Sequence, residues 1–446
     1  MESNPIQQRI EELEMKYVEL RYTQTYKYLI LRTPQDEREM VEAFYDHMLG
    51  IDNEIEDVVL LFQSPLYEKQ TYSKALIEAL FSLVFLWNFS EKPNSISDNY
   101  VDWEMDRSLE SDKNVAALFV ANLNAFCEAV ELEEDANIVC VLDYQNKEGK
   151  QMLQWLKDLA QLELHPRVQL LLFDTFEQPL FNALKDYAPK STQILPHHFE
   201  LDQAIKALAA MGDPEAPDTK FRYHMVQLFE AINKKREKEI KKHAAICLQI
   251  AEQNSTKDAN WSVQQMVIYS ALATFEFGKK QFKQAINYIN QGLDVVQEVQ
   301  GVLPDDLVYR LLGQGVLFRG NLYFILKQYE KAKDDFVRGE SYFERCVDYL
   351  MQIEALRSIA ETAKKMSDKK LRYEALNKGV RLGSNLNDTL AQSSSYTLVV
   401  KEVLEAKYSS FISDKELDTI IKPLLGEQWR IKYKSVKSIL VNKDLK

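Results

Sequence analysis

Three side chains in the first half of the chain are of the types that bind magnesium and phosphate. Asp143 and Asp174 each follow a short apolar run, and Lys74 lies near the start of a helical pattern that follows another such run. Carboxylate oxygens are ligands that Mg²⁺ prefers, and a lysine ammonium binds phosphate as a point charge. These three residues would therefore suit a nucleotide with its metal ion.

A glycine-rich phosphate loop is missing from the same region. Such a loop needs glycines, because its backbone N–H groups must approach the phosphate oxygens closely. The chain of 446 residues has 13 glycines, and only Gly50, Gly149 and Gly212 precede residue 220. The segment that follows the first apolar run, QSPLYEKQTYSKAL, contains none. We therefore treat Lys74 and the two aspartates as remnant candidates and predict no bound cofactor.

No other combination of side chains in the sequence predicts catalysis or a metal centre. The six histidines form no HExxH pattern, and no serine lies in a GxSxG motif. The four cysteines lie far apart, without the paired spacing of a zinc site or a disulfide framework. We therefore predict a protein of the reducing cytoplasm that is not an enzyme and holds no metal.

Charge divides the chain into two different halves. Residues 1–220 contain 40 acidic and 19 basic side chains, a net charge of −21, whereas residues 221–446 carry a net charge of +8. Opposite charges would let the halves contact each other or attract different partners. The strong acidity disfavours nucleic acid as a partner. The longest apolar stretch, Ala79 to Phe89, is too short to span a bilayer, so no membrane association is predicted.

A change in composition marks a boundary between the halves. The segment 211–220, MGDPEAPDTK, combines a glycine, two prolines and three acids, which is typical of a linker. We predict an acidic α/β domain with an N-terminal helix over 1–210, helical repeats over 221–404, and a basic helical cap over 405–446. Only two prolines follow residue 217, so the second half can form long helices.

The first half alternates helical patterns with short apolar runs. A long amphipathic helix is predicted from Ile6 to Leu31. Apolar runs typical of buried strands follow at 57–62, 137–142, 168–173 and 191–195, with helical segments between them. Such strands, separated by helices, predict a small parallel sheet that helices cover on both faces.

Two features of this half are similar to nucleotide-binding modules of P-loop ATPases. The run 58–62 is followed by a loop and a helix, and Asp143 and Asp174 each end an apolar strand. An α/β module that precedes helical repeats resembles the signal-transducing (STAND) class of these ATPases. The resemblance implies a nucleotide-dependent regulatory switch, but it is one of order and not of motif because the glycine loop is missing.

The second half contains a repeating helical pattern. The stretch from Gly320 to Phe336, GNLYFILKQYEKAKDDF, places small and aromatic residues as a tetratricopeptide repeat does, in a helix-turn-helix unit of about 34 residues. Similar patterns begin near Met266 and Ile353, although Arg372 occupies a normally small position of the last one. Residues 221–404 thus resemble tetratricopeptide repeats, which implies an all-α solenoid of stacked helix pairs.

The resemblance also implies a groove, lined by the first helix of each repeat, that binds a peptide. Transferred to this sequence, the groove positions are Ser270, Thr274, Phe277, Asn321, Phe324, Arg357, Glu361, Lys364 and Lys365. Their mixture of apolar and basic side chains would suit an acidic or amphipathic peptide, or the acidic first half of the same chain. An alternative is that Phe277 and Phe324 only pack against neighbouring helices.

These observations favour a non-catalytic adaptor, chaperone or scaffold that binds a protein through the groove. One alternative is a STAND-type switch with an atypical nucleotide site. Another is a regulator that binds nucleic acid through the basic C-terminal helices, where the run from Arg430 to Lys437 reads RIKYKSVK.

Overall fold

The computed structural model describes residues 4–50, 53–64, 66, 68–89, 100–143, 149–406 and 408–433. The chain divides into two compact units, Met1–Leu208 and Ala209–Lys446. The sequence 211–220 lies between a helix that ends at Ala210 and one that begins at Pro217, so its last four residues are helical.

The first unit contains a parallel sheet of five strands in the order β2-β3-β4-β1-β5. The strands are β1 Tyr28–Thr33, β2 Val58–Phe62, β3 Ile138–Leu142, β4 Val168–Thr175 and β5 Thr192–Pro196. The helices are α1 Pro5–Thr23, α2 Arg38–Leu49, α3 Lys69–Phe89, α4 Ala117–Ala129, α5 Gly149–Leu159, α6 Asn182–Tyr187 and α7 Leu201–Ala210. The predicted α/β class is confirmed.

The sheet has a hydrophobic core on each face because successive strand residues point to opposite sides. On one face, Ile30, Cys140 and Leu170 pack with α3, α4, α5 and α6. On the other face, Leu31 and Val141 pack with α1 and α2. Helices therefore cover both faces, as the continuous apolar strands predicted.

The predicted first helix, Ile6 to Leu31, is wrong in its last third. Helix α1 ends at Thr23, and residues 28–33, YLILRT, form β1, which lies inside the sheet between β4 and β5. A short apolar run has the same periodicity whether it is a buried strand or the end of a buried helix. The strand at 58–62 is therefore not the first strand but β2, at the edge of the sheet.

The second unit is helical, as predicted. Its helices are α8 Pro217–Asn233, α9 Glu237–Ser255, α10 Asn260–Gly278, α11 Phe282–Glu298, α12 Asp305–Ile325, α13 Tyr329–Arg345, α14 Tyr349–Met366, α15 Lys369–Leu382, α16 Asp388–Ser393, α17 Tyr396–Glu405, α18 Asp414–Leu425 and α19 Trp429–Tyr433. We call α8, α10, α12 and α14 the A helices and their partners α9, α11, α13 and α15 the B helices.

Each A helix is joined to its B helix by the same turn. Each A helix is followed by a residue with positive φ. The backbone N–H of the residue after it donates to the carbonyl five residues earlier in the chain. Gln281 donates in this way to Glu276, and Gln328 donates to Tyr323. These bonds form a Schellman motif, which satisfies carbonyls at the helix end. The positive-φ residues of the four turns are Lys235, Lys280, Lys327 and Ser367.

Small residues allow the paired helices to cross closely. A Cβ atom built on Gly320 of α12 would lie 2.6 Å from Cε1 of Phe336 on α13. A Cβ atom on Gly292 of α11 would lie 2.5 Å from the sulfur of Met266 on α10. Real Cβ contacts are longer, so these positions require glycine for the observed packing.

Val347, between α13 and α14, adopts the same left-handed conformation, with φ of 55°. We expect Val347→Gly to raise the free energy of unfolding by about 1 kcal/mol, because a β-branched residue is strained there and the side chain is 61% exposed. The exposed Val337 inside α13 provides the control, since Val337→Gly should destabilise the helix. Urea unfolding measures both, and a loss of stability in Val347→Gly would contradict the expected strain.

Candidate functional site

The carboxyl edge of the sheet is the first candidate site, since open parallel sheets bind ligands there. The interior strand β1 ends at Thr33, and the loop that follows leads through Glu37 to the start of α2 at Arg38. Asp143 follows β3 directly, and Asp174 is the penultimate residue of β4. The fold therefore brings both predicted aspartates to this edge.

Asp143 is buried and paired with an arginine. Its Oδ1 accepts a hydrogen bond from Nη2 of Arg38, the first residue of α2. The same guanidinium lies over the ring of Phe173, 4.6 Å from its centroid, and its Nε donates to Glu42 at 3.0 Å. A cation of the protein itself thus neutralises the carboxylate of Asp143, which is one of the remnant candidates for a nucleotide site.

Asp174 is buried and uses both carboxylate oxygens in internal hydrogen bonds. Oδ1 accepts from the backbone N–H groups of Thr175 and Leu180, each at 3.0 Å. Oδ2 accepts from the N–H of Phe181 at 3.2 Å and from Nη2 of Arg32 at 2.9 Å. Each oxygen already accepts two bonds, so this carboxylate holds the turn before α6 together and has little capacity left for a metal.

Glu37 was missed by the sequence analysis because β1 was missed. It lies in the loop after β1 and is buried. Its Oε2 accepts from the N–H of Phe199 at 2.9 Å, and its Oε1 accepts from the N–H of Leu201, at the start of α7, at 3.2 Å. A buried carboxylate in this loop would repel a phosphate group, and it occupies the N–H of Leu201, the first residue of α7.

Lys74 does not belong to the loop after β1. It lies on α3, is about half exposed, and its Nζ is 3.9 Å from Oε2 of Glu110. The loop it was assigned to follows the edge strand β2, and Pro65 and Tyr67 of that loop lie outside the described residues. Within the described part of the chain, no group of three or more His, Cys, Asp or Glu residues is placed to hold a metal ion.

His197 lies at the same edge, directly after β5, and is buried. Its Nδ1 is 3.1 Å from Nζ of Lys16, which donates to it. Burial, followed by the charges of Lys16 and His198, lowers the pKa of His197 to about 4, although Glu12 and the backbone of Arg9 act in the opposite direction. The imidazole is therefore neutral at pH 7.

The low pKa of His197 predicts a loss of stability in mild acid. The unfolded chain binds a proton near pH 6.5 but the folded chain only near pH 4, so stability falls as the pH drops through this window and levels off below it. We expect a contribution of about 2 kcal/mol, which His197→Gln should remove and the exposed His198→Gln should leave in place. Urea unfolding at pH 7 and pH 4.5 measures it, and an equal pH dependence in both variants would contradict it.

The second candidate site is the side of the helical unit formed by the A helices. The positive-φ residue of each turn gives a common register for the four helices. Thr274, Asn321 and Glu361 each lie six residues before it, and Phe277 and Phe324 each lie three residues before it. The predicted groove residues therefore occupy equivalent places on successive A helices, which supports the proposed repeat register.

The aromatic groove residues pack partly against neighbours and remain partly accessible. The ring of Phe277 lies 6.1 Å from that of Phe318 on α12 and 6.0 Å from that of Phe282, yet Phe277 is still exposed. Phe324 is half-buried, with its ring 5.4 Å from that of Tyr329. Packing against neighbouring rings thus covers part of each aromatic side chain, and the rest of its surface is accessible to a partner.

The basic end of the predicted groove carries less free charge than its sequence suggests. Arg357 donates to both oxygens of Glu354, at 2.6 and 2.9 Å, and to Glu361 at 3.2 Å. These contacts raise the pKa of Arg357 further above its usual value, chiefly through the hydrogen bond to Glu354. Lys364 and Lys365, which are exposed at the end of α14, carry the positive charge there.

The common register adds residues that the sequence analysis missed. Phe229 of α8 is exposed and lies six residues before Lys235, as Thr274 does before Lys280. We call thirteen residues the A face. They are the nine predicted groove residues together with Phe229, Val267, Gln314 and Ile325. The lysine that recurs at the turns after α8, α10 and α12 was the sequence signal that could have identified α8 as the first A helix.

A cavity of about 320 Å³ lies between α8 and the start of α10. Phe221, Arg222 and Met225 of α8 and Trp261 of α10 line it. The polar residues of its lining are Asp218, Arg222, Asp258, Asn260 and Gln264, so the cavity presents both charges beside its three apolar side chains.

Sequence comparisons assign no family. No protein-family model and no curated protein matches the chain.

Two solved structures resemble it weakly. BtubC (BKLC) from P. vanneervenii is 11% identical over 55% of this chain and 90% of its own length, with a TM-score of 0.36. A structure of Drosophila ORC bound to AT-rich DNA and Cdc6 is 11% identical over 99% of this chain and 77% of its own length, with a TM-score of 0.29. At these values the similarity carries no functional meaning for this chain.

Two basic runs in the second half of the chain have some of their side chains paired with acids. Arg430 of the C-terminal run lies 2.9 Å from Asp414 and 3.1 Å from Asp418, and residues 434–437 of that run lie outside the described residues. The second basic run is the segment 234–242, KKREKEIKK, in which Lys234 pairs with Glu230 at 2.6 Å. No helix in the described part of the chain is both long and apolar enough to cross a bilayer.

Proposed function

We propose that the protein is a non-catalytic adaptor, chaperone or scaffold of the cytoplasm that binds a partner polypeptide along the A face. The observation that carries the proposal is the common register of the A helices, which repeats exposed apolar side chains such as Phe229, Phe277 and Ile325 along one side of the helical unit. Repeated apolar positions with polar neighbours are a typical surface for binding a peptide or a helix.

The charge of the A face indicates the chemistry of the partner. Arg357 is neutralised by Glu354 and Glu361, so the positive charge is concentrated at Lys364 and Lys365. An amphipathic partner segment with acidic residues at one end would complement this arrangement. The acidic first half of the chain has the same complementary charge and is a second proposed occupant.

Affinity capture with two matched variants tests the proposal. Ile325 on the A face and Val337 on a B helix are 45% and 44% exposed, so an aspartate at either position should cost similar stability. We expect Ile325→Asp to reduce the amount of retained partner at least about tenfold, since a charge replaces an apolar contact. Val337→Asp should retain the partners of the wild-type chain, and equal retention by both variants would contradict binding at the A face.

We further propose that the first unit does not turn over nucleotide. The proposal is supported by Glu37 in the loop after β1, by the pairing of Arg38 with Asp143, and by the four hydrogen bonds to Asp174. Titration calorimetry with ATP or GTP and Mg²⁺ should show no binding heat, and the melting temperature should not shift. A saturable heat would instead favour the regulatory switch.

A further inference from the structure

The last turns of α3 carry a row of exposed aromatic rings. Residues 81–89, FSLVFLWNF, include no charged side chain. Phe81, Phe85 and Phe89 are 45%, 51% and 73% exposed. The ring centroids of Phe81 and Phe85 are 6.4 Å apart, and those of Phe85 and Phe89 are 4.6 Å apart. We call these three rings the ridge.

The exposure of this segment is unusual for a helix of its composition. The first half of α3 buries Tyr72, Leu76 and Leu80 in the core of the unit, as an amphipathic helix does. Beyond Leu80 the helix is apolar except for Ser82 and Asn88, and Leu83 and Leu86 are exposed in addition to the ridge. A helix that is apolar on all sides is normally buried, and a contiguous exposed apolar patch marks an interaction site.

A row of acidic side chains runs beside the ridge. The amide of Asn88 exchanges two hydrogen bonds with the backbone of Val101, at 2.9 and 3.0 Å. Arg107 Nη2 lies 3.3 Å from Glu78, almost three turns back along α3. The segment 101–107 therefore follows the helix from its end toward its start.

Burial alternates along this segment. Trp103 is buried, with its ring 6.1 Å from that of Phe126. Asp102, Glu104 and Asp106 are exposed and therefore point away from the core. We call these three carboxylates the acidic row, and they give one flank of the ridge a negative potential.

We propose that the ridge is a docking site for an amphipathic helix of a partner protein that carries Lys or Arg residues along one flank. Apolar side chains of the partner would pack on the three rings, which are spaced by four residues as helix-binding anchors are. The basic flank would face the acidic row. This surface belongs to the first unit and is independent of the A face.

Charge complementarity selects this occupant over two others. A second copy of the chain would bring an acidic row of its own, within residues 1–220, whose sequence carries a net charge of −21. An anionic lipid surface would be repelled by the same carboxylates. A basic amphipathic helix satisfies both the apolar rings and the acids.

Two synthetic peptides test the proposal with the full-length protein. Both are helical, of about five turns, with the same leucine face; one carries lysines along a flank and the other carries glutamates. The measurement uses the background variant Ile325→Asp, which removes peptide binding at the A face. In this background, fluorescence anisotropy should show that the lysine peptide binds at least tenfold more tightly than the glutamate peptide. The triple variant Phe81→Ser, Phe85→Ser, Phe89→Ser should lose at least tenfold in affinity, whereas the control Val337→Ser, at an exposed position of α13 outside the A face, should lose none.

A second variant keeps the test informative if the serine variant does not fold. Asp102→Asn, Glu104→Gln, Asp106→Asn leaves the rings in place and should weaken lysine-peptide binding and reduce its salt dependence. Equal affinity for both peptides, or no effect of either triple variant, would overturn the proposal. Ridge-dependent dimerisation in sedimentation, or ridge-dependent binding to phosphatidylcholine vesicles, would overturn it in favour of a second copy or a membrane.

Discussion

Replacing Asp174 with alanine is expected to lower the free energy of unfolding of the first unit by about 3 to 5 kcal/mol. The change leaves the guanidinium of Arg32 without its buried carboxylate, although Arg32 keeps a 2.8 Å bond to Asn182. It also removes the acceptor of three backbone N–H groups around the turn before α6. Each buried donor left unsatisfied adds a desolvation cost.

Two further variants separate the loss of the Asp174 hydrogen bonds from a non-specific loss of stability. Asp174→Asn keeps one acceptor oxygen and should lose less stability than Asp174→Ala. The exposed Asp186 of α6 is the matched control, and Asp186→Ala should change stability by no more than about 0.5 kcal/mol. Urea unfolding followed by circular dichroism measures all three. If Asp174→Ala proved as stable as Asp186→Ala, Asp174 would not be a structural residue and a ligand-binding role would be favoured.

Gly320→Val is expected to destabilise the second unit by about 2 to 3 kcal/mol. Its side chain would have to occupy the space in which the ring of Phe336 packs against α12, because even a Cβ atom there lies 2.6 Å from that ring. The helices α12 and α13 would have to separate, which removes apolar contacts along their whole crossing.

Gly278 provides the control for this prediction. It is the last residue of α10, it is exposed, and a Cβ atom on it would meet no described atom within 4 Å. Gly278→Val should therefore change stability by only a few tenths of a kcal/mol. Thermal unfolding compares the two variants. Similar melting temperatures would show that the close crossing at Gly320 does not limit the stability of the repeat.

Much of the fold was predictable because local patterns and packing agree. Strands β2 to β5 are short apolar runs with polar boundaries, and the register of the repeats follows from small residues such as Gly320. Strand β1 was not predictable by periodicity, since YLILRT continues the apolar pattern of α1 after only a short polar break. Its place inside the sheet depends on pairing with β4 and β5, which are distant in sequence.

The candidate sites were predictable to different degrees. Asp143 and Asp174 lie at the carboxyl edge of the sheet, as strand-terminal aspartates should. Their partners Arg38 and Arg32 could not be identified, because both depend on β1 and on its long-range pairing. The A-face positions came from the resemblance to tetratricopeptide repeats, whereas Phe229 required the turn geometry of α8.

Hydroxyl-radical footprinting of the full-length protein, with and without a captured partner, tests the central claim most directly. Binding along the A helices predicts that oxidation of Phe229, Phe277 and Ile325 slows when the partner is present, while oxidation of Val337 on a B helix is unchanged. Protection confined to the B helices, or no protection of any A-face residue, would contradict the account.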